Sequence, residues 1–494
     1  MKAHHPIDLK AIASKAMIKY GFTPEFPQAV IREVNSLKVL PLPDSRSDVR
    51  DLRSLLWSSI DNSDSMDLDQ MEYCSRGSDG EILVKIAIAD VDTYVPKQSR
   101  ADRYASHNGT SVYTGIVTYP LLPDRLSKGI TSLLPGQESR AIIIEYAVLP
   151  DGTVRHGEIY RAIVSNKAKL IYEIVGEWLE GALPLPDSIK NVSGLEEQLN
   201  LQNEAALNLK KYRRNQGALD LETLEAHVVM ENEVVKDLIV QRQNMARCII
   251  EEFMVAANGA MVDYLGTAGV PMIQRIVRTP KYWEEIRLVA ASYDEKLPGE
   301  PDSIALGKFL TKRRIADPGR FPDLSLTIVK LMGSGEYVAY VPGKMPIGHF
   351  ALAVTDYTHG TAPNRRYVDL IIQRLLKSVL DREKSPYRLR ELEDQAEWLT
   401  GREKGSKKVE RFMHKAAAAM LLHDKAGEVF DAYVTGASEK GTYVRLLTIP
   451  VEGRVMHGEH GLRVGQKVSV KLIKTDPENG FIDFEKIAQI NKKH

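Results

Sequence analysis

Residues 59–72 read SIDNSDSMDLDQME and place Asp61, Asp64, Asp67 and Asp69 within nine positions before the acidic run stops at Gln70. Two unit charges about 4 Å apart repel by ~4 kcal/mol at an effective dielectric of 20. Carboxylates this crowded therefore face water, share protons or bind cations. The plainest outcome is a solvated loop whose Asp, Asn and Ser side chains make turns. A calcium loop is the nearest alternative, because counting from Asp61 puts Ser63, Ser65, Asp67, Asp69 and Glu72 at its ligand positions. Its sixth position is Met66, where the sharp turn needs glycine, and the residues that follow read as a turn and a strand. That excludes it. What remains is a magnesium site for phosphate chemistry, in which two metals about 4 Å apart activate water and steady the leaving oxygen.

A second signal lies in GTAPNRRYVDLIIQRLLKSVL (360–380). The pattern predicts a helix with Thr361 as its cap, Pro363 near its first turn, and Val368, Ile371, Ile372, Leu375 and Val379 on its apolar face. Arg365 and Arg366 then sit at the helix N-terminus, where each cation opposes the macrodipole by about 0.3–1 kcal/mol. A phosphate bound there would reverse that balance, since exposed amides and arginines can share one anion. A structural salt bridge from either arginine is the alternative.

The rest of the chain must position these groups. Its 494 residues suffice for more than one domain, and 43% hydrophobic against 27% charged residues is ordinary for a globular protein. No apolar run approaches the roughly 18 residues of a membrane span. The N-terminus lacks the apolar core of a secretory signal. Cys74 and Cys248 are too few and too far apart for a disulfide framework or a zinc site. A cytoplasmic location is expected. The 66 basic residues balance 66 acidic ones, so any grip on a polyanion must come from positive charge gathered in one channel.

Residues 1–48 read as a small helical module that ends in the Pro- and Ser-rich break LPLPDSRSD (40–48). Strands are predicted at EILVKIAIADVDTYV and RAIIIEYAVLP. From about residue 165 to 395 helical patterns dominate, NKAKLIYEIVGEWL and QNMARCIIEEFMVAANGAMVDYL among them. A charged helical connector over 396–426 leads to short strands broken by glycines at 427–488, the texture of a small closed barrel. The expected fold class is α+β and multidomain: N-terminal module, catalytic domain at 49–395, connector, C-terminal β-barrel.

At this point the residues resemble the ribonuclease II/ribonuclease R (RNB) family of 3′-to-5′ exoribonucleases. That family's acidic signature is I-D, five residues, then D-x-D-D; Asp61, Asp67 and Asp69 fall in register, with Gln70 at the final aspartate. IADVDTYV, GTSVYTGIVTYPLLPDRLSKGITSL (109–133), NKAKLIYEIV, IIEEFMVAAN and YTHGTAPNRRYVDL (357–370) match further family segments in the same order. The terminal barrel resembles an RNA-binding OB fold of the ribosomal-protein-S-one type. The family normally carries two cold-shock OB domains ahead of its catalytic region. Residues 1–48 are too few for one, so the N-terminus departs from that architecture.

The resemblance implies a processive 3′-to-5′ exoribonuclease that hydrolyses single-stranded RNA to nucleoside 5′-monophosphates with magnesium or manganese; the sequence does not give its oligomeric state, and a monomer is expected. Asp61, Asp67 and Asp69 would hold the metal, with Gln70 as an amide ligand and Asp64 a turn residue. Arg365 would stabilise the transition state, and Arg366 would serve structure or substrate positioning. Tyr113 and Tyr172 match tyrosines that contact RNA, and stacking on bases suits a sequence-independent degrader. His227 aligns with a second stacking aromatic. Glu251 or Glu252 would accept from a ribose 2′-hydroxyl, the group that separates RNA from DNA. His359 is either a substrate contact or a core histidine. Two other readings stay open: a catalytically lapsed RNA-binding protein, in which Gln70 ended the chemistry, and a DNA exonuclease.

Overall fold

The computed structural model describes residues 7–41, 48–222, 225–231, 234–438 and 441–487. Most of the break at 40–48 lies outside the described residues. The chain opens with α1 (Leu9–Lys19), capped by Asp8, whose carboxylate accepts from the amides of Lys10 and Ala11. After α2 (Gln28–Ser36) the chain enters a sheet. Neither helix stands apart: Ile12, Ala16 and Met17 share a core with Val409 and Met413, and Val30 and Val34 join the main core.

The sheet begins with β1 (Arg50–Asp51), β2 (Trp57–Asp61), β3 (Gln70–Arg76) and β4 (Ile82–Ala89). Then come α3 (Arg100–Asn108), the short pair β5 (Val112–Tyr113) and β6 (Thr118–Tyr119), and the long strands β7 (Glu138–Val148) and β8 (Val154–Ile171). The strand order is β1-β8-β2-β3-β4-β7, and β7 also pairs with β8, so the sheet curls back on itself. The acidic loop is the β2–β3 connection.

Strand β8 corrects the helical reading of NKAKLIY. The 18 residues of β8 run to Ile171, and α4 (Tyr172–Leu179) starts only at Tyr172. Parallel pairing with β2, in which Ser58 faces Ala168 and Ile60 faces Leu170, overrides the local helical period. The same register opposes Asp61 to Ile171 and so delivers Tyr172 to the acidic loop.

α5 (Asp187–Lys190) and α6 (Leu195–Asn215) lead to a hairpin of β9 (Glu225–Glu231) and β10 (Val234–Gln241), strands where helices were expected. α7 (Met245–Thr267) covers the sheet, with Phe253 edge-on to Tyr146 of β7 at 6.5 Å. β11 (Met272–Ile276), α8 (Trp283–Ala291), α9 (Ser303–Ala316), α10 (Phe321–Met332) and β12 (Glu336–Tyr340) follow.

α11 (Tyr367–Leu380) starts later than Thr361, and Arg366 is its N-cap residue in extended geometry, φ −134° and ψ 124°. The preceding residues form a turn instead, because their amides are committed to the acidic loop and to Asp369. α12 (Leu389–Leu421) is one continuous helix of 33 residues that passes through the 395/396 limit without a break. Ala418 and Ala419 at its end enter the barrel core.

β13 (Val429–Ser438), β14 (Gly441–Leu446), β15 (Glu452–His457), β16 (Lys467–Asp476) and β17 (Phe481–Lys486) close as β13-β14-β15-β17-β16. Arg445 pairs with Asp323 of α10, which fastens the barrel to the helical layer. The class is α+β, ending in this barrel. Among the described residues no helix is long and apolar enough to cross a membrane.

Candidate active site

The acidic loop is held from several sides. Asp61 ends β2, and its Oδ1 accepts from the Asn62 amide at 2.7 Å and the Ser65 hydroxyl at 2.9 Å. Lys169 of β8 donates to the carbonyls of Ser63 and Ser65. Ser132 accepts from the Leu68 amide and donates to the Met66 carbonyl, while the Leu133 amide reaches the Leu68 carbonyl. The run at 109–133 is thus a brace for the loop. Asp64 is exposed at its tip.

The other wall is the turn before α11. The amide of Asn364 donates to Asp69 Oδ1 at 2.8 Å, and Thr131 donates to the Asn364 side chain at 2.6 Å. Gly109 ends α3 at φ +74°, a conformation that favours glycine, and its carbonyl accepts from the Tyr367 amide. α11 is anchored by ion pairs: Arg374 to Asp92 and Asp102, and Lys377 to Asp90 and Asp92. These bonds fix where Arg365 stands.

The two arginines have different tasks. Arg366 makes a bidentate pair with Asp369, both distances 2.8 Å, and Asp369 also accepts from the Ala362 amide. Arg365 is half-exposed, with Nε 3.4 Å from Asp69 Oδ2. That oxygen is buried and has no hydrogen-bond partner among the described residues. Burial pushes the Asp69 carboxyl up to about 8, against the pull of Arg365. Burial also raises Asp67, again opposed by Arg365.

The donor set suits a hard divalent cation. Asp61, Asp67 and Asp69 offer oxygens only, and one of them is an unsatisfied buried oxygen. Among the described residues no three His, Cys, Asp or Glu side chains gather closely enough to enclose a metal. Asp61 is turned onto its own loop, and Asp69 toward Asn364 and Arg365. Magnesium needs no such cage, since it keeps several waters and is held by one or two carboxylates plus substrate phosphate. Gln70 is buried on β3, and its side chain makes no hydrogen bond among the described residues.

Tyr113 lies at the edge of the site, 40% exposed, with its hydroxyl 3.5 Å from Asp67 Oδ2. Burial of that hydroxyl pushes it up to about 12, opposed by Arg365. Tyr172 lies beside Asp61, with the Arg247 guanidinium 4.2 Å from its ring centre. Its hydroxyl is raised by burial and by the field of Asp61.

The remaining expected contacts have other partners. His227 is exposed on the β9–β10 hairpin and makes no hydrogen bond, ion pair or ring contact with the aspartates, Tyr113 or Tyr172 among the described residues. Glu252 is buried in a bidentate pair with Arg213, at 2.6 and 2.7 Å, while Glu251 is half-exposed at 3.4 Å from the same arginine. Both line a cavity of about 320 Å³ with Lys210, Arg214 and Arg242. His359 accepts or donates to Tyr337 at 2.8 Å and packs edge-on to Tyr337 and Tyr357; burial pulls it well below the usual histidine range, so it is neutral. Asn364 went unnoticed in the sequence because its contribution is a main-chain amide.

A model of the RNB domain matches residues 49–382, and one of the RNase II-type exonuclease C-terminal S1 domain matches 428–487. The chain belongs to the RNB family. Among RNB relatives, Ribonuclease R of Thermotoga maritima is 30% identical over 93% of this chain and 68% of its own length. Ribonuclease R of Escherichia coli is 29% identical over 94% of this chain and 60% of its own. The Mycoplasma genitalium RNase R in complex with ribose methylated single-stranded RNA shares the fold, with a TM-score of 0.86, 22% identity, and coverage of 97% of this chain and 78% of that one.

Proposed function

We propose that this protein is a magnesium-dependent, processive 3′-to-5′ exoribonuclease that converts single-stranded RNA to nucleoside 5′-monophosphates in the cytoplasm, with manganese able to replace magnesium. The observation that carries this reading is Asp69 Oδ2, buried with no hydrogen bond among the described residues and facing Arg365 across 3.4 Å, within the field of Asp67 and Asp61. A phosphodiester lodged there would meet guanidinium N–H donors on one side and a set of carboxylates on the other. Asp61, Asp67 and Asp69, with the Gln70 amide, would hold the cation, which supplies neutralisation of phosphate charge. Arg365 donates to the non-bridging oxygens as charge builds on them, while Asp67 and Asp69 orient a water in line with the 3′-oxygen leaving group. That oxygen departs with the shortened strand, and the terminal nucleotide keeps the phosphate on its 5′ side.

Tyr113 and Tyr172 supply stacking surfaces for the last bases, Glu251 supplies an acceptor for a 2′-hydroxyl, and the barrel at 427–488 captures longer RNA. His227, His359 and Arg366 belong to the walls of the path. The domain division at 48/49, 395/396 and 426/427 is part of the same reading, as is a monomeric state. The second reading, an RNA-binding protein without catalysis, draws on Gln70 alone. Digestion of matched RNA and DNA oligomers with and without magnesium tests both. Mononucleotides from RNA only, and only with metal, are expected. Bound but intact RNA at every metal concentration would favour the second reading, and digestion of DNA would overturn the substrate.

A further inference from the structure

With 66 basic residues against 66 acidic ones, a grip on a polyanion needs positive charge gathered in one place, and two helices gather it. On α6, Leu207, Lys210, Lys211 and Arg214 follow one another at i, i+3, i+4 and i+7. On α9, Ile304, Lys308, Thr311, Lys312 and Ile315 also fall on one face. The two faces line a groove of about 900 Å³. Among its described lining residues, five lysine and arginine side chains stand against one acid, Asp220.

That acid is already engaged: Arg314 pairs with it at 2.5 Å, and Arg214 stands 3.9 Å away. Lys312 pairs with Glu295, which does not line the groove. Lys210, Lys211 and Lys308 make no ion pair among the described residues. Like charges three or four residues apart weaken a helix, and both faces carry them: Lys210 and Lys211 with Arg214, and Lys308 with Lys312. An anion laid between the helices would relieve both repulsions at once.

The kind of anion follows from what lines the groove and what it adjoins. No aromatic ring is among its described lining residues, so nothing there stacks a base, and its contacts suit phosphate, which carries no sequence. Lys210, Arg214, Ala218 and Asp220 also line the smaller cavity that holds Glu251 and Glu252. Asn244, another wall of that cavity, donates to the Tyr172 carbonyl at 2.9 Å, and Tyr172 follows the residue opposite Asp61. Shared walls thus join the groove to the cavity of Glu251, and that cavity to Tyr172.

We propose that the α6–α9 groove is a second RNA contact, which holds the phosphate backbone of the single strand upstream of the nucleotides in the active site. This rests on the reading of single-stranded RNA as the substrate. A strand whose 3′ end meets the aspartates and whose ribose meets Glu251 continues on its 5′ side past Lys210 and Arg214 to Lys211 and Lys308. Ile304 to Ile315 spans about 16 Å of helix, room for successive phosphates. The groove acts on strands too long for the active site alone, and independently of the barrel at 427–488.

The test is a salt titration of RNA binding by the full chain in chelator, so that binding is read without cleavage. The variant is Lys211→Gln with Lys308→Gln. The control is Lys190→Gln with Lys384→Gln, two exposed lysines outside the groove. On a single-stranded RNA of about 30 nucleotides, each lost phosphate contact makes the slope of log affinity against log salt shallower by about 0.7. The groove variant is expected to lose about 1–1.5 from that slope and about tenfold in affinity at about 0.1 M salt, with the control within about twofold of wild type. Cleavage of an oligomer of about five nucleotides should be equal in all three proteins, as should melting temperature, since neither groove lysine has an ion pair to lose among the described residues. Equal losses in variant and control would make the effect one of net charge and overturn the proposal. A wild-type slope in the groove variant overturns it too, and if wild type digests RNA the nuclease reading stands without the groove. A variant that binds RNA normally but escapes inhibition by added nucleoside 5′-monophosphate would assign the groove to released product instead. If wild type digests no RNA yet the slope falls as expected, the groove stands and the nuclease reading falls.

Discussion

The main-chain amide of Asn364 donates to Asp69 Oδ1 at 2.8 Å, across 295 positions of sequence, and Oδ2 of the same carboxylate has no hydrogen bond among the described residues. One oxygen is spent on joining the acidic loop to the turn before α11. The other faces Arg365. A single side chain thereby joins the two walls of the site and meets Arg365, and under the proposed function its structural and chemical parts can be separated by substitution.

Asp69→Asn keeps an acceptor for the Asn364 amide while removing the charge. Hydrolysis should fall below detection, and affinity for a labelled RNA oligomer should change by less than about threefold. Turnover kinetics and a binding titration on that oligomer check this. Normal turnover would remove Asp69 from the site.

The charge itself should be visible in pH dependence. Burial raises the Asp69 carboxyl from 3.8 to about 8, so between these values the folded chain binds more protons than the unfolded one. The contribution of Asp69 to the stability of the metal-free protein should therefore fall as pH rises from about 4 to about 8. Asp69→Asn should flatten that slope and gain on the order of 1–3 kcal/mol at pH 8.5 without metal. Urea midpoints at pH 5.5, 7 and 8.5 measure it. Parallel slopes for the two proteins would mean that Asp69 is charged at no cost.

The neighbouring arginines should fail differently. Arg365→Ala removes a half-exposed guanidinium, so melting should change little while turnover drops by about 10²–10³-fold, the usual loss for one transition-state donor. Asp369→Ala strands Arg366 without its bidentate partner and frees the Ala362 amide, a loss of about 3–5 kcal/mol in stability. Thermal melting beside single-turnover rates separates the two. Loss of fold in Arg365→Ala would make it structural as well.

Much of this was legible in sequence because the site is built from short segments whose residues bear charge. Asp61, Asp67, Asp69 and Arg365 do converge, and Tyr113 and Tyr172 stand beside them. What was not legible depends on pairing between distant strands. NKAKLIY carries a helical period yet forms β8, because burial against β2 outweighs local propensity. The Arg366–Asp369 pair, by contrast, is an i,i+3 contact that RRYVD displays openly, and it was open only between structure and substrate. Glu72 stood inside the first segment considered. It was weighed there only as a calcium-loop ligand, since nothing in a sequence says that a glutamate will be fully buried with neither oxygen hydrogen-bonded among the described residues.

Tyr113 presents a ring that is 40% exposed while its hydroxyl points at Asp67. Stacking is worth about 1–3 kcal/mol per base, so Tyr113→Ala should loosen the last nucleotides without stopping hydrolysis. A longer or more heterogeneous end product is expected on a sequencing gel. An unchanged product ladder from a variant of normal stability would make Tyr113 a wall residue only.

Gln70 carries the last prediction. Its amide oxygen can coordinate magnesium but brings no negative charge, so the cation should bind more weakly than at a site with an acid there. Gln70→Asp should therefore lower the magnesium concentration for half-maximal cleavage, by about three- to tenfold. The gain is bounded from above because a new carboxylate at position 70 shares its strand face with Glu72 and repels it until the ion arrives. For the same reason Gln70→Asp should lower the melting temperature in chelator and raise it in magnesium, relative to wild type. A magnesium titration on labelled RNA and a pair of melting curves measure the two effects. If wild type is inert at every concentration and Gln70→Asp restores cleavage, the RNA-binding reading was correct and the substitution had ended the chemistry. If neither the titration nor the melting curves move, the Gln70 side chain does not reach the ion, and the carboxylates around it hold the ion without it.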